Sequence, residues 1–129
     1  VVSVGDSSAI VVLNDGRVDM TVRGEYEFNK PYCLCGLRPV RNSRGNYYRV
    51  ETKKVSTLIL ATDGVTDNVF VKDIIAARPA AGIAARAIAV FSETDKRQHA
   101  NEGKLQTPYK DGTKGKKDDV SVARISFTQ

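Results

Sequence analysis

The stretch that decides the fold is LILATDGVTDN, residues 58–68. Its apolar residues lead through Thr62 into an acid, Asp63. Gly64 follows, and a second acid, Asp67, comes four positions after the first. A short apolar run bounded by turn residues is typical of a buried strand, and an Asp-Gly pair indicates a turn directly after it. Glycine also lets two backbone segments approach closely. The stretch therefore predicts a buried strand that ends in a pair of carboxylates.

The sequence before this stretch predicts short antiparallel strands. Asn14-Asp15-Gly16 favours a hairpin turn, because these residue types accept the positive φ that such turns require. Pro31 and Pro39 interrupt a polar segment over 24–46, which predicts irregular structure there. The predicted strands are 1–4, 9–13 and 17–22, followed by 47–50 and 55–61 as a further antiparallel pair.

Helices are predicted after the stretch. The first covers Val69–Ala77, with Asp67 or Asn68 as its cap, and Pro79 ends it. Apolar residues at helical spacing predict a second helix from Ala80 to about Arg97. A polar loop over 98–117 and a last strand over 120–127, apolar on both faces except for Arg124, complete the chain. Strands paired with strands and helices grouped together indicate the α+β class.

The composition argues against a membrane-spanning protein, a nucleic-acid-binding arm and a zinc site. A chain of 129 residues is long enough for one domain with a core, and no apolar run approaches the roughly 20 residues of a membrane helix. The net charge of +5 arises largely from lysines in 104–117, which we interpret as a solvated connection and not as a nucleic-acid-binding arm. Cys33 and Cys35 are interpreted as reduced thiols, because His99 alone cannot complete a zinc site.

Acidic residues recur at the ends of predicted strands. Asp6 follows one strand, Asp63 follows another, and Asp118 and Asp119 directly precede the last one. Each acid alone is more often structural, since Asp-Gly is a common turn and Asp a common cap. If the strands are neighbours, however, the carboxylates converge and repel one another unless cations lie among them. Hard ions such as Mg²⁺ and Mn²⁺ prefer such oxygen ligands.

Three of these segments together resemble the metal-dependent protein phosphatases of type 2C. The segments are GDSSAIVV (5–12), LILATDGVTDNV (58–69) and KKDDVSVARISF (116–127). They are similar in order and context to that family's Gly-Asp-Ser strand, its apolar strand ending in Asp-Gly-x-x-Asp, and its late Asp-Asn or Asp-Asp. Two further stretches, FNKPYCL (28–34) and TPY (107–109), resemble a branch of the family known from mitochondria and plastids.

The resemblance implies a fold and a function. The fold is an antiparallel β-sandwich flanked by helices (α-β-β-α), of which residues 1–129 are the C-terminal portion. The function is hydrolysis of phosphoserine or phosphothreonine by a metal-bound hydroxide, with two Mn²⁺ or Mg²⁺ ions and a third, looser one. By motif match, Asp63 and Asp118 bind one ion, and Asp6 with Asp63 binds the third, assisted by Asp67. Gly64 lets the backbone approach the metal site closely, and Asp119 is an acid that supports the metal ligands or the fold and does not bind the metal directly.

Departures from the family pattern leave a second hypothesis open. The motif of the family's N-terminal half, whose Asp-Gly bridges both metals, does not occur in these 129 residues. The chain alone is therefore expected to be inactive, and the open sheet is expected to be covered by that half or by a partner chain. The alternative to an enzyme acting on a phosphoprotein is an inactive phosphatase-like scaffold. Such a scaffold fits a larger RNA-containing assembly, such as a mitochondrial ribosome-related complex. The expected location is mitochondrial, otherwise cytoplasmic, without membrane insertion.

Overall fold

A computed structural model describes residues 1–3, 5–27, 30–31, 46–100 and 115–127. The chain divides into two compact units. The first unit comprises Val1–Leu60 with Ile125–Gln129, and the second comprises Ala61–Arg124. Among the residues that the structure describes, no helix has the length and apolar character needed to cross a membrane. The predictions for Cys33, Cys35 and residues 107–109 lie outside the described residues.

The strands form one larger sheet and two small ribbons. The sheet has four strands in the order β3-β2-β7-β8, and the ribbons pair β1 with β6 and β4 with β5. Backbone bonds from Phe127 to Ser56 and from Thr62 to Ser121 show that β7 and β8 are antiparallel, as are β2 and β3. The strands are β1 Val2–Ser3, β2 Ser8–Leu13, β3 Val18–Met20, β4 Glu25–Glu27, β5 Lys30–Pro31, β6 Asn46–Tyr47, β7 Val55–Ala61 and β8 Val122–Ser126.

The predicted hairpin over residues 9–22 is confirmed. Gly16 has a φ of +85°, and its backbone N–H donates to the Leu13 carbonyl at 3.0 Å. The Asp15 carboxylate accepts from the backbone N–H of Arg17 at 3.0 Å and from its Nε at 2.8 Å. Both bonds hold the carboxylate in its charged form, so the pKa of Asp15 lies below its ordinary value. The turn is thus stabilised by the residues from which it was predicted, Asp15 through its hydrogen bonds and Gly16 through its positive φ.

The predicted pairing of residues 47–50 with 55–61 is wrong. Strand β6 pairs with β1, while β7 lies between β2 and β8. The physical reason is the connection, which is a 3₁₀ turn over Thr52–Lys54 and not a hairpin. Its last carbonyl, on Lys54, accepts the backbone N–H of Asn14 at 2.9 Å. That bond directs β7 to the side of β2, where the apolar side chains of β7 can be buried.

The core of the first unit lies on its two longest strands. β2 is buried along almost its whole length, and β7 alternates between buried and more exposed residues, which is the period-2 pattern of a strand with one covered face. The side chains that form this core are Ala9, Ile10, Val11, Leu13, Val55 and Ile59.

The described part of the second unit holds three helices, α1 Asp63–Thr66, α2 Val71–Ala76 and α3 Ala80–Ala100. α1 packs against α3, and the buried apolar residues of this unit are Ala61, Val65, Val69, Ile74, Ile83 and Ala87. The helix predicted over Val69–Ala77 is confirmed over the shorter range Val71–Ala76, but its predicted cap, Asp67 or Asn68, is wrong. Asp67 closes α1 at its C-terminal end, and α2 begins only after Phe70.

Together the described elements confirm a mixed α+β fold, in which an antiparallel sheet of four strands is accompanied by helices. The second predicted helix is confirmed and extends to Ala100, and the last strand is confirmed over a shorter range than predicted. A two-sheet sandwich remains a prediction.

Candidate functional site

Three aspartates from two separate parts of the second unit surround one lysine. The ammonium nitrogen of Lys116 lies 3.0 Å from Asp118 Oδ2 and 3.3 Å from Asp67 Oδ2, and it also donates to Asp63 Oδ2. The side chains of Lys116, Asp63 and Asp67 are 13%, 17% and 8% exposed, while that of Asp118 is 37% exposed. We call these four residues the aspartate cluster. It is a partly buried centre in which one cation is shared by three carboxylates.

The LILATDGVTDN stretch brings two of these carboxylates into place. Asp63 is the first residue of α1, and Thr62 alone separates it from the end of β7. Asp67 follows one turn later, and its backbone N–H donates to the Asp63 carbonyl at 2.8 Å. Because residues four apart in a helix lie on the same side of it, both carboxylates face the same neighbour. The sequence spacing of the two acids thus determines their convergence.

Asn68 connects α1 to the segment that carries Lys116 and Asp118. Its side-chain amide donates to the carbonyls of Gly64 and Lys116, at 2.7 Å each. Its side-chain oxygen accepts the backbone N–H of Lys116 at 2.8 Å. Asn68 is 2% exposed, so these bonds form away from water, where leaving them unmade is costly. The backbone of Lys116 is therefore held independently of its side chain.

Thr62 fixes the other end of the same segment. Its hydroxyl lies 3.1 Å from the Asp119 carbonyl and accepts the backbone N–H of Ser121 at 3.0 Å. Its own backbone N–H donates to the Ser121 carbonyl at 3.0 Å. Segment 115–121 is thus attached at one end to Asn68, which follows α1, and at the other end to Thr62, which follows β7.

Gly64 has the close-approach role that the sequence predicts. A side-chain carbon at this position would overlap the carbonyl oxygen of Asp119 and lie 3.0 Å from its carbonyl carbon. It would also lie 3.3 Å from the Asp118 Cβ atom. Only a residue without a side chain leaves room for the two segments, so Gly64 sets the distance between α1 and Asp118.

The cluster shifts the acidity of two of its members. Burial alone lowers the pKa of Lys116, but hydrogen bonds to Asp63 and Asp118 and the nearby negative charge outweigh burial, so the pKa of Lys116 lies well above its ordinary value. The hydrogen bond from Lys116 holds the pKa of Asp118 below its ordinary value against an opposing effect of burial. Lys116 is therefore a permanent cation at neutral pH, and Asp118 is a permanent anion.

The predicted site residues do not all occupy this cluster. Asp63, Asp67 and Asp118 are brought together, while the carboxylate of Asp119 is exposed and that residue contributes its backbone carbonyl. Asp6 belongs to the first unit, and its side chain is half-buried. A metal ion shared by Asp6 and Asp63 therefore stays a prediction.

Lys116 and Asn68 are the two residues of the site that sequence reasoning misses. Lys116 is assigned by sequence to a solvated lysine-rich connection, and for this residue the assignment is wrong, because its side chain is largely buried among the aspartates. Its neighbour Lys117 is exposed, as expected. The available signal is the direct adjacency of two lysines and two aspartates, which indicates charge pairing but not which lysine is paired.

A divalent ion fits the chemistry of this donor set only if Lys116 moves. Carboxylate oxygens are the ligands that Mn²⁺ and Mg²⁺ prefer, and the ammonium group marks the point where three of them meet. Within the described ranges, no group of three or more His, Cys, Asp or Glu side chains is arranged to hold a metal ion. The cation that the three carboxylates contact is the ammonium group of Lys116.

Comparisons of the chain with protein-family models, with curated proteins and with solved structures found no match. The resemblance to the type 2C phosphatases therefore depends only on the sequence segments quoted in the sequence analysis.

Proposed function

We propose that this chain is part of a metal-dependent protein serine/threonine phosphatase of the type 2C kind. The observation that supports the proposal is the convergence of Asp63, Asp67 and Asp118 on a single cation. The resemblance assigns metal binding to these residues, and they come from segments about 50 positions apart in sequence. Convergence from such distant segments is not needed for turns or caps, which are the structural roles that each acid could have alone.

In this proposal the protein residues bind the divalent ion and hold its ligands in position. Asp63 and Asp118 would hold one Mn²⁺ or Mg²⁺ ion, with Asp67 beside them, and Gly64 keeps the two ligand segments close. Bound divalent ions in such sites lower the pKa of water and neutralise charge on a phosphoryl group. The substrate class would be a phosphoserine or phosphothreonine side chain of a protein, and the proposed location is the mitochondrion.

We also propose that the four-stranded sheet is one layer of a two-sheet sandwich. Exposed large apolar side chains on three of its strands support this: Val18 is 42% exposed, Leu60 41% and Ile125 47%. Burying such side chains is favourable, and contiguous exposed apolar surface often marks an interface. The second layer would come from another part of the protein or from a partner chain.

The second candidate function is that of an inactive, phosphatase-like scaffold subunit. The observation that favours it is the position of Lys116, whose ammonium group already neutralises the aspartates. A cluster satisfied in this way needs no metal ion to be stable. Such a subunit would contribute the fold to a larger assembly, including an RNA-containing one, without turnover.

One assay on the full-length protein separates the two candidates. Dephosphorylation of a phosphothreonine peptide is measured with Mn²⁺, with Mg²⁺ and with EDTA. A phosphatase gives turnover that EDTA abolishes and that Asp63→Asn removes. Asp15→Asn, the same substitution in the exposed turn between β2 and β3, is the matched control and should retain activity. Absence of turnover with either ion in folded protein would refute the enzyme and favour the scaffold.

A further inference from the structure

The position of Lys116 has a consequence for metal binding that the resemblance does not contain. Its ammonium nitrogen contacts the carboxylates of Asp63, Asp67 and Asp118 at once, and its side chain is only 13% exposed. Asp63 and Asp118 are the acids proposed above as ligands of the same divalent ion. A lysine and a metal ion would therefore need the same oxygen atoms.

The two cations exclude each other for geometric and electrostatic reasons. A divalent ion requires carboxylate oxygens at about 2.0–2.6 Å, whereas the ammonium nitrogen lies at 3.0 Å from Asp118 and 3.3 Å from Asp67. A metal ion at the point where the carboxylates meet would contact the ammonium group directly. Two positive charges at contact distance repel strongly where water is partly excluded.

The backbone around Lys116 permits the exchange. Asn68 binds both the backbone N–H and the carbonyl of Lys116, and Thr62 binds the backbone of Asp119 and Ser121. The segment thus stays attached to α1 when the lysine side chain leaves. Lysine carries its charge on a flexible four-carbon stem, so rotation of that stem moves the ammonium group without moving the backbone.

We propose that Lys116 is a built-in competitor of the divalent ion: it neutralises Asp63, Asp67 and Asp118 when no metal is bound, and it must withdraw before a metal ion can bind. This inference rests on the proposed function, because it takes the same aspartates to be metal ligands. The measured metal affinity would then depend on how much more strongly the carboxylates bind the metal ion than they bind the ammonium group of Lys116.

The test is Mn²⁺ binding by the full-length protein and its variants at one fixed pH and ionic strength. Free Mn²⁺ is measured by its electron paramagnetic resonance signal, with folding checked by circular dichroism. Lys116→Met removes the competing charge and should tighten Mn²⁺ binding by tenfold or more. Lys116→Arg keeps the charge and should show no such gain. Lys117→Met removes a charge at the exposed neighbour and serves as the matched control.

The outcomes separate this inference from the proposed function. Mn²⁺ binding by wild type that is unchanged or weakened in Lys116→Met overturns the competition and leaves the metal ligands in place. No binding by either protein overturns both. A Lys116→Met variant that folds only when Mn²⁺ is added supports the competition, because the metal ion then replaces the ammonium group. A variant that stays unfolded with Mn²⁺ refutes it.

Discussion

Gly64 lies where the first turn of α1 meets the segment that leads into β8. A methyl group there would collide with the carbonyl of Asp119, and a backbone atom fixed by Thr62 cannot rotate away as a side chain would. We expect Gly64→Ala to lower the free energy of unfolding by about 1–3 kcal/mol, the usual cost of overpacking. Urea denaturation monitored by circular dichroism measures this change.

Gly82 provides the matched control for that substitution. It lies within α3, and an added side-chain carbon there meets nothing within 4 Å. Because alanine favours helix by up to about 1 kcal/mol over glycine, Gly82→Ala should leave stability unchanged or raise it. If the two variants lose the same free energy of unfolding, lack of space is not the reason that glycine is required at position 64.

Tyr48 gives a prediction on pH dependence. Its hydroxyl donates to Asp19 Oδ2 at 2.5 Å, and this bond, with smaller effects of burial and of the charge of Asp19, raises the pKa of Tyr48 above its ordinary value of 10.0. A group whose folded pKa is raised stabilises the fold below its unfolded pKa and loses that contribution as pH rises through the folded pKa. The stability difference between wild type and Tyr48→Phe should therefore disappear in strongly alkaline solution.

Titration of tyrosinate absorbance tests the same point directly. Wild type should contain a late-titrating tyrosine that Tyr48→Phe lacks. Tyr47→Phe, at the neighbouring residue that is 72% exposed, should leave that component in place. If Tyr48→Phe retains the late component, the hydrogen bond to Asp19 does not persist in solution.

At the level of single residues, the sequence predicts which residues belong to the site better than it predicts which side chains they contact. Residue type and spacing are enough to predict Asp63, Asp118 and the close-approach role of Gly64. The choice of Lys116 over Lys117 does not, because it depends on which way a loop turns after it is anchored by Asn68. Asn68, which is 48 positions from Lys116 in the sequence, binds the backbone of Lys116 and so determines which lysine faces the aspartates.

Among the secondary-structure elements, α2 depends on a cation from β8. The guanidinium of Arg124 donates from Nη1 to the carbonyls of Ile75 and Ala77, at 3.1 Å and 2.8 Å. These carbonyls lie at the end of α2, where no later turn of the helix can satisfy them. Burial, with a smaller effect of Arg78, lowers the pKa of Arg124 from its ordinary value, but a guanidinium stays charged at neutral pH.

We expect Arg124→Met to cost about 1.5–3 kcal/mol of unfolding free energy, the range for hydrogen bonds to charged groups. Arg86→Met is the control: it removes an exposed ion pair with Asp73 at 3.4 Å, which is typically worth less than about 1 kcal/mol. Thermal denaturation of both variants provides the comparison. Similar losses at the two arginines would show that Arg124 does not stabilise the end of α2.

The sequence predicts elements well where local residues determine them. The hairpin at Asn14-Asp15-Gly16 is predicted because its turn closes through its own side chains. The helix caps are missed because Asp67 and Asn68 bind partners outside their own turn, in the segment at Lys116. The partner of β6 is missed for a similar reason, since it lies far upstream in β1, where Val2 pairs with Tyr47 and Ser3 with Asn46.

For the molecule as a whole, the α+β class follows from strand patterns that pair with one another and helix patterns that are grouped together. A second sheet layer does not follow from these residues. What the described residues add is apolar surface on the sheet. Leu60 in β7 and Ile125 in β8 are large, apolar and more than 40% exposed. In water each such side chain gives up part of the roughly 1.5–3 kcal/mol that full burial of it would contribute.

Thiol labelling tests whether that surface is covered in the full-length protein. Cys33 and Cys35 are first replaced by serine, and a single cysteine is then introduced as Leu60→Cys or Ile125→Cys. Labelling by a thiol reagent is followed by mass spectrometry. If a second sheet or a partner chain lies over these strands, both cysteines should react at least tenfold more slowly than one introduced as Lys117→Cys. Equal reaction rates in folded protein would show that the sheet is open to solvent, and the proposed sandwich would then be wrong.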